Sequence, residues 1–339
     1  MNLASKIGRY TIKFNNPPAI NAYASVVGKK EGEGPLAESF DYISEDTTFG
    51  EKTWEKSESR MQMDTLTRAL DKAGTPPRDV DIIFAGDLLN QCIGTSYGLR
   101  SFNIPFAGVY GACSTMAESL CLASVFIESG CANTAVALTS SHFCTAERQY
   151  RFPLEYGGQR PQSSQRTVTG SGAIVVKKEG LGPFVKEVTF GKIVDLGIKD
   201  ASNMGAAMAP AAADTIMTYL KDTNQKPDDF DLIITGDLGF VGSELCKELS
   251  AKEGTILGDN YTDCGLLIYD RKNQDTHSGG SGCGCSASVL CSHVLNNMRS
   301  GSFNNVLFVA TGALMSPISL QQGESIPSIA HLVHLSNQR

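Results

Sequence analysis

The chain has 339 residues and a mass of 36.2 kDa, room for one large or two ordinary domains around a sizeable core. Hydrophobic residues make up 41% and charged residues 19%, a balance that suits neither a disordered nor a collagen-like chain. The formal charge is −7 and the pI near 5.3, the wrong sign for neutralising many phosphates, so nucleic acid is not an expected partner.

The N-terminal stretch MNLASKIGRYTIKF alternates polar and apolar residues and has neither a continuous apolar segment nor a small-residue cleavage site, so no secretory signal and a cytosolic location are expected. From Ser57 to Lys72, apolar residues at Met61, Leu66, Ala69 and Leu70 fall near helical spacing, and Gly74 with Pro76 and Pro77 stops the run. Asp81 to Ala85 then reads as a short strand buried on both faces, closed by Gly86 and Asp87. Gly111-Ala112-Cys113-Ser114 opens an apolar helix to about Glu128, ended by Gly130, and Thr134 to Thr139 follows as a strand. This alternation predicts a layered α/β fold. The longest apolar run, Val306 to Ile318, contains Gly312, Ser316 and Pro317 and falls short of the ~18 residues that cross a bilayer.

An internal repeat organises the chain. Residues 63–89 and 213–239 align without a gap at an offset of 150, with ten of 27 positions identical, where roughly two are expected by chance for a non-repeated sequence. The Gly-rich stretch GGSGCGCSASVL (279–290) leads a second apolar helix ending at Ser300-Gly301 and then a strand from Val306 to Ala310, in parallel with the Cys113 turn. Two similar halves are expected, 1–180 and 181–339, with a ligand crevice where the Cys113 and GGSGCGC turns face each other.

Each candidate residue has a functional and a structural reading. Cys113 at a helix N-terminus would feel the macrodipole, which lowers a thiol's pKa and favours the nucleophilic thiolate; the other reading is an inert core cysteine. His142, at a strand end in TSSHFCTAERQYRFPLEYGGQRP, would serve as base or donor, or be satisfied structurally. In the same run, Glu147, Arg148, Arg151 and Glu155 make either a solvated loop or, through an Arg fork, a grip on a dicarboxylate. Asp87 and Asp237, repeat-related, face a ligand or cap following helices. The ten cysteines include no C-x-x-C, and Cys283 with Cys285 has no partner pair nearby, so neither a metal site nor a disulfide framework is expected. GGSGCGC matches neither the phosphate loop nor the dinucleotide fingerprint, so no nucleotide cofactor is expected.

These motifs carry a resemblance. The duplicated α/β units with Cys113 at a strand-to-helix turn resemble the thiolase and ketoacyl synthase superfamily. More closely, AGDLLNQ (85–91), GACSTMAES (111–119), the His142 run, TVTGSGA (167–173), MGAAMAPAAADTI (204–216), GGSGCGCSA (279–287), VATGALMSP and QQGESIPSIAH resemble the stage V sporulation protein AD family over most of the chain. The resemblance implies a five-layered αβαβα thiolase-like fold and a homodimer. It further implies binding of dipicolinic acid (pyridine-2,6-dicarboxylate), as free acid or with Ca²⁺, and its movement into the developing spore and release in germination. The implied partners are membrane proteins of the same sporulation operon, and the implied location is peripheral, at the cytoplasmic side of the forespore or spore inner membrane.

By the same resemblance Cys113 falls on the superfamily's nucleophile, while Asp237 and Cys283 stand where condensing enzymes carry His and then His or Asn. An ionised Asp would repel a developing oxyanion, and losing such donors costs about 10²- to 10³-fold each. The expectation is a non-catalytic receptor without a resident cofactor or metal, its ligand held among Cys113, His142, Asp87, Arg148, Asp237 and Cys283. The alternative is an active thiol-dependent acyltransferase or condensing enzyme with His142 as replacement base.

Overall fold

The backbone carries the 150-residue repeat without a gap through the first long helix and the strand after it, and the later elements recur at a larger offset. The computed structural model describes residues 4–151 and 160–339. In chain order its principal elements are β1 (Ala19–Gly28), α1 (Trp54–Ala73), β2 (Ile82–Gly86), α2 (Ile93–Leu99), β3 (Phe106–Gly108), α3 (Thr115–Glu128), β4 (Thr134–Ser141), α4 (Phe143–Arg151) and β5 (Gly170–Lys177). The second set is β6 (Phe184–Phe190), α5 (Met204–Thr223), β7 (Leu232–Thr235), α6 (Gly239–Lys252), β8 (Tyr261–Asp263), α7 (Cys283–Val289), β9 (Asn305–Ala313) and β10 (Ser328–Ser336). Helices α1 and α5 are both 20 residues long and begin at equivalent repeat positions.

The predicted elements are present, with boundaries moved for local reasons. Helix α1 starts before Ser57 because the Thr53 side chain accepts the Lys56 N–H as an N-cap, and it ends on Gly74 at φ 57°. Asp81 stands outside β2: its carboxylate takes the N–H groups of Asn133 and Thr134, tying the start of β4 to that of β2. Its repeat partner Asp231 does the same for Asn304 and Asn305. The helix after the Gly-rich turn continues from α7 through a π-helical turn, Leu290–Val294, to Arg299.

The ten strands follow the order β8-β7-β9-β10-β6-β1-β5-β4-β2-β3, so each half presents its strands in the same sequence outward from the middle. Within the first half β2 pairs parallel with β3 and β4, and β5 pairs antiparallel with β4 and β1. The second half repeats this with β7, β8, β9, β10 and β6. Along this order the halves join through Ala19 with Phe184, residues Thr11–Phe14 add an antiparallel tie to β6, and Arg166–Thr167 pairs parallel with Gly280–Ser281. Helix α1 covers β1, β4 and β5, and α5 covers β9 and β10. Helices α3 and α7 touch strands of both halves and form the central layer. The result is the αβαβα stacking, two duplicated halves in a thiolase-like α/β fold.

The central layer is apolar. Met116, Ala117, Leu120 and Cys121 of α3 pack with Cys285, Ala287 and Val289 of α7 in one core cluster with Ile174 and Phe308. Burial at this level, about 25 cal/mol per Å² of apolar surface, is what brings the two helix-leading turns face to face. Among the described residues no helix is long and apolar enough to cross a membrane.

Candidate functional site

The turns before α3 and α7 meet as the repeat predicts. A cavity of about 40 Å³ opens between them, lined by Leu88, Cys113, Ala146 and Tyr150 on one side and by Met204, Gly282 and Met315 on the other. Thr167, Glu147 and Ser281 add polar edges to a mainly apolar wall. Cys113 lies in a tight turn, Ala112–Ser114, entering α3, and Ala112 holds φ 50°, a left-handed conformation unfavourable for a residue with a Cβ. Gly312, at the end of β9, presses on this turn: a Cβ there would come within 2.2 Å of the Gly111 carbonyl oxygen and 3.3 Å of the Cys113 nitrogen.

The charge beside the thiol is negative. Asp237 is fully buried and accepts the Gly282 N–H at 2.8 Å and the Thr311 hydroxyl at 2.8 Å. The same carboxylate lies near enough to the Cys113 thiol for its charge to act on it. Burial raises the Asp237 pKa to about 6, against the pull of these donors. The Cys113 thiol is pushed well above its ordinary value, first by burial, then by the Asp237 charge and by Cys283. The expected helix-dipole activation of Cys113 is therefore overturned: desolvation and an adjacent carboxylate outweigh a dipole effect of about 0.3–1 kcal/mol. Burial holds the proton on the thiol more firmly than on the Asp237 carboxyl, so Asp237 is a poor general base for it.

The six residues singled out in the sequence separate into two groups. Cys113, Asp237 and Cys283 come together. Cys283 shares a buried cluster with Cys113, Leu88 and Ala146, and its thiol donates to the Ser140 carbonyl at 2.8 Å. Asp87 does not join them: its carboxylate takes the N–H groups of Leu89 and Thr95 and the Thr95 hydroxyl, holding the entry to α2. His142 points away: Nε2 donates to the Thr47 carbonyl at 2.9 Å, Nδ1 accepts the Cys144 N–H at 3.2 Å, and the ring lies against Trp54. Burial lowers its pKa and keeps it neutral. With both nitrogens engaged, it does not reach the thiol as a base. Arg148 is half-exposed and pairs with Glu55. Glu147 lines the cavity, whereas the Arg151 side chain and Glu155 lie outside the described residues.

Sequence reasoning missed a second tier of buried acids. Glu58 accepts from Ser140 and Thr145. Burial, then the charge of Asp87, raise its pKa to about 8. Asp263 accepts from Thr235 and from the N–H groups of Leu238, Gly239 and Gly265, with its pKa raised by burial to about 7. A signal for Glu58 existed: Glu58, Gln62 and Thr65 share the buried face of α1 with Met61 and Leu66, and polar residues on such a face require partners. Tyr150 was also missed; its hydroxyl donates to the Leu88 carbonyl at 2.6 Å and lies 2.6 Å from the Tyr110 hydroxyl at the cavity wall.

The family model described as stage V sporulation protein AD matches residues 8–336. A curated relative, stage V sporulation protein AD of Bacillus subtilis (strain 168), is 46% identical over 324 residues, 96% of either chain. Among solved structures, 3-oxoacyl-[acyl-carrier-protein] synthase III from Aquifex aeolicus VF5 superposes with a TM-score of 0.57 at 13% identity, covering 94% of this chain and 99% of that one. Human mitochondrial 3-ketoacyl-CoA thiolase in complex with CoA gives 0.54 at 13% identity, covering 95% and 98%. At such identities the structural likeness carries the fold alone.

Proposed function

Because the chain belongs to the stage V sporulation protein AD family, we propose that this sporulation protein is a receptor for pyridine-2,6-dicarboxylate built in a former acyl-transfer cleft. The observation that carries the reading is the buried Asp237 behind the cavity wall: it binds the N–H of Gly282, which lines the cavity with Cys113, and burial with this negative charge favours the protonated thiol. A receptor needs only a concave apolar pocket and a few placed polar groups. Met204 and Met315 supply adaptable walls, and Thr167, Ser281 and Tyr150 supply hydroxyls. A cavity of about 40 Å³ holds water rather than a substituted pyridine, so binding moves those methionines and Tyr150 outward. The buried Asp237 makes the cleft unfavourable to a bare dianion, which favours the calcium chelate as cargo.

In this reading the protein loads or releases the ligand at the cytoplasmic side of the forespore or spore inner membrane, as the peripheral part of a channel formed with membrane proteins of the same operon. A second copy of the chain pairs along β3, where Tyr97, Phe106 and Tyr110 are exposed. Isothermal titration with pyridine-2,6-dicarboxylate, with and without Ca²⁺, tests the receptor. Saturable binding from which a Cys113→Trp substitution removes a site supports it. Acyl-enzyme formation at Cys113 with an acyl-CoA, followed by repeated turnover, overturns it in favour of an acyltransferase.

A further inference from the structure

Among the described residues, a group of cations away from the Cys113 cleft has donors without acceptors. The side chains of Lys30 and Arg166 make no hydrogen bond and no ion pair among the described residues. Arg166 lies in a two-residue strand, Arg166–Thr167, paired parallel with Gly280–Ser281; Thr167 lines the cleft, whereas the Arg166 guanidinium stacks on the Phe143 ring, 3.9 Å from its centroid. Its Nε is buried without an acceptor, and so is Nη1 of Arg160. An orphaned buried donor costs about 1–3 kcal/mol, more when charged.

Backbone contacts bring the three cations to one place. Glu31 accepts the Thr169 N–H at 3.0 Å, setting residues 29–32 beside the Arg166 strand. The Gln274 side chain donates to the Lys30 carbonyl at 2.7 Å, and Arg160 Nη2 donates to the Asp275 carbonyl at 2.9 Å. Burial and then the Arg166 charge lower the Lys30 pKa. The nearby acids are otherwise engaged: Glu31 is buried under Tyr269, which donates to it, and Asp275 is taken by Arg160 and His277. A planar guanidinium fixed on an aromatic face beside a free ammonium matches the shape of a carboxylate or phosphate group.

We propose that Lys30 and Arg166, with Arg160 at the edge, form a second binding site, separate from the cleft, for a small oxyanion carrying carboxylate or phosphate oxygens. The anion bridges the Lys30 ammonium and the Arg166 guanidinium and takes up the orphaned N–H donors. Titration of the full chain with inorganic phosphate, and separately with pyridine-2,6-dicarboxylate, tells the two sources apart. The expected result is saturable binding of at least one of them, weakened tenfold or more by Arg166→Gln and by Lys30→Gln. Arg166→Lys, which keeps charge but loses the fork, should bind with intermediate affinity. Lys52→Gln, a surface neutralisation elsewhere, should change nothing. Lys30 is partly exposed, so Lys30→Gln reports on the site even where Arg166→Gln fails to fold. Absence of binding by either anion, affinity unmoved by Lys30→Gln, or an equal loss with Lys52→Gln overturns the site. The Cys113→Trp titration reads the cleft independently, since that residue lies outside this cluster.

Discussion

Replacing Asp237 by Asn isolates the charge that opposes ionisation of Cys113. With a carboxyl pKa of about 6, Asp237 is ionised roughly thirtyfold over its acid form at pH 7.5. Two unit charges about 4 Å apart at an effective dielectric near 20 repel by about 4 kcal/mol, which is about a thousandfold in the thiolate population. The burial penalty on the thiol stays in the variant, so the expected rise in Cys113 reactivity lies between about tenfold and that limit. Alkylation by iodoacetamide at pH 8, read peptide by peptide by mass spectrometry, measures it, with exposed Cys131 as internal reference. The substitution has a stability cost as well. Gly282 N–H and the Thr311 hydroxyl donate to different oxygens of Asp237, and Asn accepts at only one, so a loss of about 1–3 kcal/mol is expected. A folded Asp237→Asn protein with an unchanged ratio of Cys113 to Cys131 alkylation would refute the electrostatic argument.

Three further outcomes follow from the buried groups. The Glu58–Asp87 pair retains a proton up to about pH 8 when folded, while a free carboxyl loses it near 4.3; the folded state therefore binds protons more tightly, and stability falls as pH rises until that proton leaves. Between pH 7 and pH 8.5, where histidine titration is nearly complete, stability measured by urea unfolding should fall, with the buried cysteines adding to the slope, and Glu58→Gln should lessen that fall by about 1 kcal/mol; a rise with pH, or an equal fall in Glu58→Gln, contradicts it. Gly312→Ala should lower the melting temperature and disturb the Cys113 turn, because its Cβ would meet backbone 2.2 Å away; a cost of about 1–3 kcal/mol is expected from overpacking. His142→Ala should destabilise by about 1–2 kcal/mol through its lost hydrogen bonds, while Arg148→Ala, which breaks a half-exposed ion pair, should cost under about 1 kcal/mol. Neither should alter ligand affinity directly, and a tenfold loss of pyridine-2,6-dicarboxylate binding in a stably folded variant would put that side chain back in the site.

The architecture was legible because part of the repeat is gapless: equal helices and the Asp81 and Asp231 anchors recur at an offset of 150, although the residues they tie, Asn133 and Asn304, show that the second part of the unit has shifted. The meeting of Cys113, Asp237 and Cys283 was legible for the same reason, since duplicated turns must face each other. His142, Asp87 and Arg148 were misplaced because proximity in sequence to a strand end does not set side-chain direction. His142 is turned by a loop carbonyl at Thr47, some ninety residues away in the chain, and Asp87 by the short helix after it. The sign of the Cys113 shift was illegible because it depends on burial and on a carboxylate from the other half of the chain. Local rules capture a dipole and miss both.

The contact of Gly312 with the Gly111 carbonyl and the Cys113 backbone sets the thiol's position without any functional side chain taking part. Scaffold and reactivity are thus separately mutable: residues around the sulfur can be exchanged one at a time while its coordinates stay put. Such a lineage can pass from catalyst to receptor through intermediates that all fold.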